Sequence, residues 1–420
     1  MTTRRDVLIA GSAVAAMLAL PGSTRAAVRR GTGKPLQILV LGGTGFLGPH
    51  FVEAGRAKGH QLTLFNRGKS NPMRFSGEQF KDIEQLHGDR KTDLSALAGA
   101  RRWDAVLDTS AYFPADVDRS AALLAKRVGQ YVIISSISVY ADNSIPGGDE
   151  SAAVATIANP ALATEVTGEN YGPLKALCEQ AAQKAMPGRT TVIRPGLIVG
   201  PGDNTDRFTY WPARAARGGE ILAPGRAGDP IQLIDVRDLA EFILHSIETR
   251  NLGVFNADAA PGALSMGSVL AASQVAGARA NDIQCIGAPC VQPAAAGSTT
   301  TWVPAHFLEA HQVSAWQDMP VWIPPTGEYA GFGLRSTSRA QATGLTCRPL
   351  QATVDDTLQW WLGLPEERRA KPKAGLSPAR EAEVLKAWHA RTDANRGVQA
   401  REFSRPTRSA ERRLATDCKQ

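Results

Sequence analysis

Gln37-Ile38-Leu39-Val40-Leu41-Gly42-Gly43-Thr44-Gly45-Phe46-Leu47-Gly48 reads as an apolar strand that runs straight into a glycine-rich turn and opens a helix. In this order Gly42 permits a tight turn and Gly45 lets backbone N–H groups approach a pyrophosphate. Gly48 lets the new helix pack closely on the sheet. The helix N-terminus adds partial positive charge toward the anion. Glycines at this spacing also occur in links that bind nothing, so the flanking elements decide. A second strand, Gln61-Leu62-Thr63-Leu64-Phe65, follows at the right distance.

Further short apolar runs follow at helix-length intervals: Leu86-His87-Gly88-Asp89, Ala105-Val106-Leu107-Asp108, Gln130-Tyr131-Val132-Ile133-Ile134-Ser135-Ser136 and Thr190-Thr191-Val192-Ile193-Arg194-Pro195. None shows polar alternation, as expected of strands buried on both faces of a parallel sheet. The expected fold is α/β, a Rossmann-type doubly wound parallel sheet over residues 36–200. A smaller C-terminal substrate-binding region with returning sheet elements is expected over 201–365. Its Pro-, Trp- and Gly-rich stretch 284–330 reads as long loops with short elements, a lid over a substrate site. Residues 366–378 read as a linker, Arg380 to Ala390 as one helix, and 392–420 as a disordered basic tail.

The 420 residues carry a formal charge of +7. Arg4, Arg5 and Arg25 stand against Asp6 in residues 1–27, and fourteen Lys/Arg stand against eight Asp/Glu in residues 366–420. The body between them is close to neutral, which argues against a nucleic-acid partner. Arg4-Arg5 precede a short apolar run ending at Leu20, and Thr24-Arg25-Ala26 offers a small-residue cleavage site. Residues 1–27 therefore read as a twin-arginine export signal, with the export machinery as a partner and a periplasmic or secreted destination. The run is too short for a stable membrane span. Cys178, Cys285, Cys290, Cys347 and Cys418 form no zinc spacing, and no metal site is expected. Cys285 and Cys290 are either a disulfide or two free thiols.

Tyr171-Gly172-Pro173-Leu174-Lys175 places Tyr and Lys four apart at the start of a helix, on one face. Pro173 is tolerated in the first turn. A lysine ammonium beside a phenol lowers its pKa and makes it usable as a general acid or base. Ser135-Ser136-Ile137-Ser138 ends a strand at the carboxyl edge of the sheet, where ligands bind in such folds. Ser136 is the favoured serine for holding a substrate oxygen.

Four pieces occur in one order: Gly42-x-x-Gly45-x-x-Gly48, Ser135-Ser136-Ile137-Ser138-Val139-Tyr140, Tyr171-x-x-x-Lys175, and Arg194-Pro195-Gly196-Leu197-Ile198-Val199-Gly200-Pro201-Gly202. With them the chain resembles an extended or atypical short-chain dehydrogenase/reductase of the NAD-dependent epimerase/dehydratase group, over roughly residues 36–260. The resemblance implies that Tyr171 is the catalytic acid/base, that Lys175 binds the nicotinamide ribose, and that Ser136 orients the substrate. It implies a cofactor-binding set of Gly42, Thr44, Gly45, Phe46, Leu47, Gly48, Asn66, Arg67, Asp89, Ser110 and Pro195. Asp89 would lie near the adenine and Pro195 on the nicotinamide side. Ile231-Gln232-Leu233-Ile234-Asp235-Val236-Arg237-Asp238 resembles the family's later substrate-domain strand. The long gap between Ser136 and Tyr171, and Asp206-Arg207-Phe208-Thr209-Tyr210-Trp211, depart from the family and leave the substrate open.

After the second strand, an enzyme for NAD usually carries an acid that accepts from the ribose hydroxyls. Here Phe65-Asn66-Arg67-Gly68-Lys69-Ser70 has none, and Arg67 and Lys69 suit a 2′-phosphate. The expected cofactor is NADP, with NAD as the alternative, retained tightly if the protein is exported. Arg207, Tyr210, Trp211 and Arg237 are the substrate candidates, and His50 is read as structural. The expected function is an NAD(P)-dependent oxidoreductase, epimerase or dehydratase acting on a carbonyl or alcohol of a small molecule. The alternative is a non-catalytic NAD(P)-binding or nucleic-acid-binding protein on the same fold.

Overall fold

A computed structural model of the chain describes residues 34–160, 163–286 and 297–403, with side chains described outside 281–286 and 392–403. The apolar runs form β1 (Gln37–Leu41), β2 (Gln61–Asn66), β3 (Glu84–His87), β4 (Trp103–Asp108), β5 (Val128–Ile134) and β6 (Thr190–Pro195). After them come β7 (Leu197–Val199), β8 (Glu220–Pro224), β9 (Pro230–Ile231), β10 (Leu233–Asp235), β11 (Gly253–Ala257), β12 (Leu264–Ser265) and β13 (Thr299–Val303). A seven-stranded sheet runs in the order β11-β6-β5-β4-β1-β2-β3, and every neighbouring pair is parallel. The order turns back between β1 and β4. In such sheets that reversal opens a crevice at the carboxyl ends of the strands.

The helices are α1 (Leu47–Ala57), α2 (Pro114–Leu124), α3 (Tyr171–Ala185), α4 (Tyr210–Ala216), α5 (Val236–Glu248), α6 (Met266–Ile286), α7 (Ala305–Ala310), α8 (Ser338–Ala342), α9 (Leu350–Leu362), α10 (Glu366–Arg369) and α11 (Pro378–Phe403). Along β1, Ile38 and Val40 pack with Phe51 and Val52 of α1 and Leu239 and Phe242 of α5. Leu39 and Leu41 point the other way and pack with Val117 and Leu124 of α2 and Cys178 and Ala182 of α3. Both faces are covered, which is why the strand sequence shows no polar alternation. Each such apolar side chain contributes on the order of 1.5–3 kcal/mol on burial.

A second core lies in the C-terminal half, around Phe208, Trp211, Met319, Trp322, Val354, Leu358 and Trp361. Four expectations are corrected by it. The strand read over Ile231–Asp238 is two short strands and a helix start, because the Asp235 carboxylate accepts from the Arg237 N–H and caps α5. Much of the stretch read as a lid is core: Val303, Phe307, Leu308, Met319, Val321 and Trp322 are all buried. The linker is packed, with Leu376 buried and Arg368 of α10 paired to Asp206. Of the tail, residues 392–403 belong to α11. The export signal, Cys290, Cys418 and residues 404–420 lie outside the described residues, as does the Cys285 side chain.

Candidate active site

The reversal between β1 and β4 opens into a cavity of about 820 Å³. Its floor is the glycine turn. Gly42 has φ +90, a conformation L side chains rarely adopt, and a Cβ there would stand 2.8 Å from Thr109 Oγ1. Nothing lies within 4 Å of where a Cβ on Gly45 would be, so its backbone is open to the cavity. A Cβ on Gly48 would come within 2.3 Å of the Gly43 carbonyl oxygen, so α1 packs this closely only with glycine. The first turn of α1 carries no acid. Open backbone, a helix N-terminus and no competing carboxylate fit a pyrophosphate.

Thr44, Phe46, Leu47, Asn66, Arg67, Asp89, Ser110 and Pro195 all line the same cavity, with Gly42, Gly45 and Gly48. Asn66 Oδ1 accepts from the Gly68 N–H at 2.9 Å, while its Nδ2 is buried without a partner. That orphaned donor and the exposed Arg67, which forms no ion pair among the described residues, are free for a ribose and its substituents. The Asp89 carboxylate accepts from the Lys91 N–H at 2.9 Å.

Arg90 was not expected from the sequence. Both of its terminal nitrogens donate to the buried Asp108 at 2.8 Å, and others of its bonds reach Ser110 and Ser120. The Tyr131 hydroxyl donates to the same carboxylate at 2.8 Å. Burial works against the charged form of Asp108, but Arg90 outweighs it and holds the carboxyl below the usual range. Arg90 thus forms a fixed wall of the cavity. Its signal was present: a cation directly after β3 and an acid closing β4, both at the carboxyl edge.

At the other end α3 begins at Tyr171. A Cβ on Gly172 would stand 2.1 Å from the Ser138 carbonyl oxygen, so glycine lets this helix sit directly on the Ile137–Val139 turn. Tyr171 and Ser136 line the same cavity, and the Ser136 hydroxyl pulls the phenol's pKa down. Ser136 Oγ also accepts from the Ser138 N–H at 3.1 Å. Ser135 instead donates to Glu179, which pairs with Arg194 at 2.7 Å. The structure therefore leaves Ser136, not Ser135, facing the tyrosine.

Lys175 is buried and donates to the carbonyls of Ala111 at 2.7 Å and Ile134 at 2.5 Å. Burial lowers its pKa. Tyr171 departs from expectation: burial pushes the phenol above its ordinary value, and the nearby Ser136 hydroxyl offsets only part of this. The cation that also counters burial there is Arg207, while Lys175 points at main-chain oxygens.

Of the substrate candidates, Arg207 lines the cavity, with Nε on Thr205 Oγ1 at 3.2 Å and its guanidinium 5.6 Å from the Trp316 ring. Tyr210 and Trp211 are corrected: both are buried in the C-terminal core, and the Trp211 N–H donates to the Pro320 carbonyl at 2.8 Å. Arg237 is corrected too. It pairs with Asp235 at 2.7 Å and with Asp356, and does not line the cavity. His50 Nε2 lies 2.9 Å from the Pro201 carbonyl oxygen, and the residue does not line the cavity. Tyr112, Trp316 and Phe332 line the cavity unannounced, because aromatic residues in irregular segments give no periodic signal; Gln232, between β9 and β10, lines it too. Among the described residues no group of three or more His, Cys, Asp or Glu could hold a metal ion, and no helix is long and apolar enough to cross a membrane.

Residues 38–257, just over half of the chain, match the NAD dependent epimerase/dehydratase family. The chain is 26% identical over 240 residues to the Bos taurus Epimerase family protein SDR39U1, across 53% of this chain and 74% of that one. It is 28% identical over 228 residues to the 2-alkyl-3-oxoalkanoate reductase of Stenotrophomonas maltophilia (strain K279a), across 50% of this chain and 64% of that one. The solved structure of the Bordetella bronchiseptica enzyme WbmH in complex with NAD+ shares the fold, with a TM-score of 0.55 at 14% identity, over 79% of this chain and 99% of that one. By the extent of the match in sequence, and by its sheet order, the chain belongs to the NAD dependent epimerase/dehydratase family.

Proposed function

We propose that the protein is a nicotinamide-dependent oxidoreductase acting on a carbonyl or alcohol of a small molecule, with Tyr171 as its acid/base. The observation that carries this reading is that Ser136, Tyr171 and Lys175 line one cavity with the glycine turn, Tyr171 opening α3 and Lys175 one helical turn behind it. When bound, the nicotinamide cofactor supplies or accepts the hydride. The turn Gly42–Gly48 and the α1 N-terminus hold its pyrophosphate. Asn66 and Arg67 hold the adenosine ribose, and the exposed guanidinium of Arg67 favours the 2′-phosphate of NADP over NAD.

In the reductive direction Ser136 holds the substrate oxygen and Tyr171 gives it a proton. In the oxidative direction Tyr171 takes that proton back. A phenol pushed up by burial stays protonated at neutral pH, which suits the donor role. The reductase named above lends the reading support by similarity. The same groups serve an epimerase or dehydratase in which the hydride returns to the substrate and the cofactor stays bound. We also propose twin-arginine export to the periplasm, with cofactor carried in the folded protein.

The test uses the purified native protein. Near-ultraviolet absorbance and mass establish whether it carries a nicotinamide cofactor. A panel of small ketones and alcohols is then offered to native protein and Tyr171→Phe. Turnover that survives Tyr171→Phe unchanged removes the assignment.

A further inference from the structure

This inference rests on the reading of Tyr171 as the group that faces the reacting carbonyl. We propose that the substrate carries a carboxylate beside that carbonyl, that Arg207 receives it, and that an apolar body lies against Trp316, Phe332 and Tyr112.

Arg207 uses only its Nε, on Thr205 Oγ1 at 3.2 Å. Its two terminal nitrogens have no hydrogen bond or ion pair among the described residues. A planar fork of two free N–H faces matches the two oxygens of a carboxylate. The fork is also held in place. Trp316 lies under the guanidinium, and Thr205 is fixed by Asp203, which accepts from its N–H at 2.9 Å and its hydroxyl at 2.7 Å. The neighbouring carboxylates make no direct bond to the fork: Asp203 accepts from Thr205 and acts on Arg207 only through space, and Asp206 holds Arg368 and the Lys373 N–H.

The dinucleotide does not account for this cation. The place for its pyrophosphate is the open backbone at Gly45, whereas Arg207 lines the cavity together with Tyr171 and Ser136 and acts electrostatically on the phenol. A charge so close to the acid/base is where a substrate anion next to the reacting carbonyl would sit. The walls supply the remainder. Trp316 and Phe332 meet edge to face at 5.9 Å, and with the half-exposed Tyr112 they give the cavity apolar lining suited to an aryl or alkyl group.

The experiment is calorimetric titration of the full protein, saturated with NADP+, with benzoylformate, methyl benzoylformate and phenylphosphonate. The native protein is expected to bind benzoylformate at least about tenfold more tightly than its methyl ester, the value of one charge-assisted contact. Arg207→Met should bring acid and ester close to parity. Arg207→Lys, which keeps the charge and loses the fork, should retain part of the preference and guards against a Met variant that fails to fold. Equal binding of acid and ester by native protein, no binding of benzoylformate, a preference for phenylphosphonate, or a preference that survives in Arg207→Met overturns the proposal. Failure of the underlying reading looks different: Tyr171→Phe would then turn over normally. If only this inference fails, Tyr171→Phe is inactive while charged and neutral carbonyls are handled alike.

Discussion

Asp206 and Arg368 meet at 2.6 Å, and through this pair the C-terminal segment grips the loop that carries Arg207. Asp206 is buried and sits at φ +62, the left-handed region that a non-glycine residue occupies at some cost. Its second oxygen accepts from the Lys373 N–H at 2.9 Å, and Lys373 Nζ donates to the Asn204 carbonyl at 2.9 Å. The grip therefore comes from outside the part of the chain that matches the family. Arg368→Met should destabilise the protein by about 1–3 kcal/mol, toward the low end because Arg368 is partly exposed. Urea unfolding reads this. KM for substrate should rise more than kcat falls, and an unchanged KM would show that the loop holds itself.

Arg67 should select the phosphorylated cofactor. It stands on the cavity rim at the end of β2, free of any ion pair among the described residues, where enzymes for NAD usually carry an acid. Removing one charge-assisted hydrogen bond costs on the order of 1.5–3 kcal/mol, roughly tenfold or more in affinity. Arg67→Ala should lose that much NADP affinity and leave NAD affinity nearly unchanged in a fluorescence titration. A native preference for NAD would defeat the assignment.

The sheet could be read because β1, β2, β4, β5 and β6 are apolar on both faces, and such strands look alike in any parallel sheet. The glycine turn, Ser136, Tyr171 and Lys175 could be read because local geometry demands those residues at that spacing. What escaped was decided across long distances in the chain. Tyr210 and Trp211 are polar-tipped aromatic residues near the cleft, yet residues from α6, α9 and α11 enclose them in a core. Arg237 finds Asp356 119 positions away. Tyr171 and Lys175 share a helix face, as their spacing requires, but the carbonyls of Ala111 and Ile134 compete for the ammonium and are won by it. No spacing rule announces Trp316 beneath Arg207.

Asp258 should make stability depend on pH. It is fully buried, Oδ1 accepts from the Ala259 N–H at 2.8 Å, and Oδ2 has no partner among the described residues. Burial pushes its carboxyl well above the usual carboxylate range. A raised folded pKa contributes stability that is full below the unfolded value and is lost as pH rises toward the folded one. Asp258 should therefore draw stability down as pH climbs from about 4, by up to about 1.4 kcal/mol per pH unit. Asp258→Asn keeps the shape without the charge and should flatten the urea midpoint against pH. The same slope in both proteins would clear Asp258 of the effect. Gly196→Ala should be poorly tolerated at any pH, because its Cβ would fall 1.5 Å from Asp258 Oδ2.

On the export proposal, secretion should depend on Arg4 and Arg5, which stand together before a short apolar run followed by the small residues Thr24 and Ala26. Replacing both with Lys keeps the charge and removes the paired guanidinium groups. Precursor should accumulate in the cytoplasm on cell fractionation. Mature protein in the periplasm at native levels would end the export proposal.

The pH profile of Tyr171 gives the sharpest check on its role. Burial leads among its influences and holds the phenol above its ordinary value, while Ser136 and Arg207 pull it down less. The protein before substrate binds therefore carries Tyr171 protonated through neutrality, and kcat/KM reports that form. Carbonyl reduction, which needs the proton, should be flat from about pH 6 to 9 and fall only above the ordinary phenol value near 10. Alcohol oxidation needs the same oxygen as a base, so its kcat/KM should rise with pH over that range. A reductive profile that falls near neutrality would mean that Lys175, or a bound cofactor, sets the pKa after all. Tyr171→Phe keeps the ring and removes only the oxygen. It should lower turnover by about 10²–10⁴-fold, the ordinary value of general acid catalysis, and abolish both pH dependences. Its melting temperature and cofactor affinity should stay near native. Lys175→Met should differ, because the buried ammonium ties the Ala111 and Ile134 carbonyls together. That variant should lose stability as well as turnover, and the contrast between the two separates the residue that moves the proton from the one that holds the site in shape.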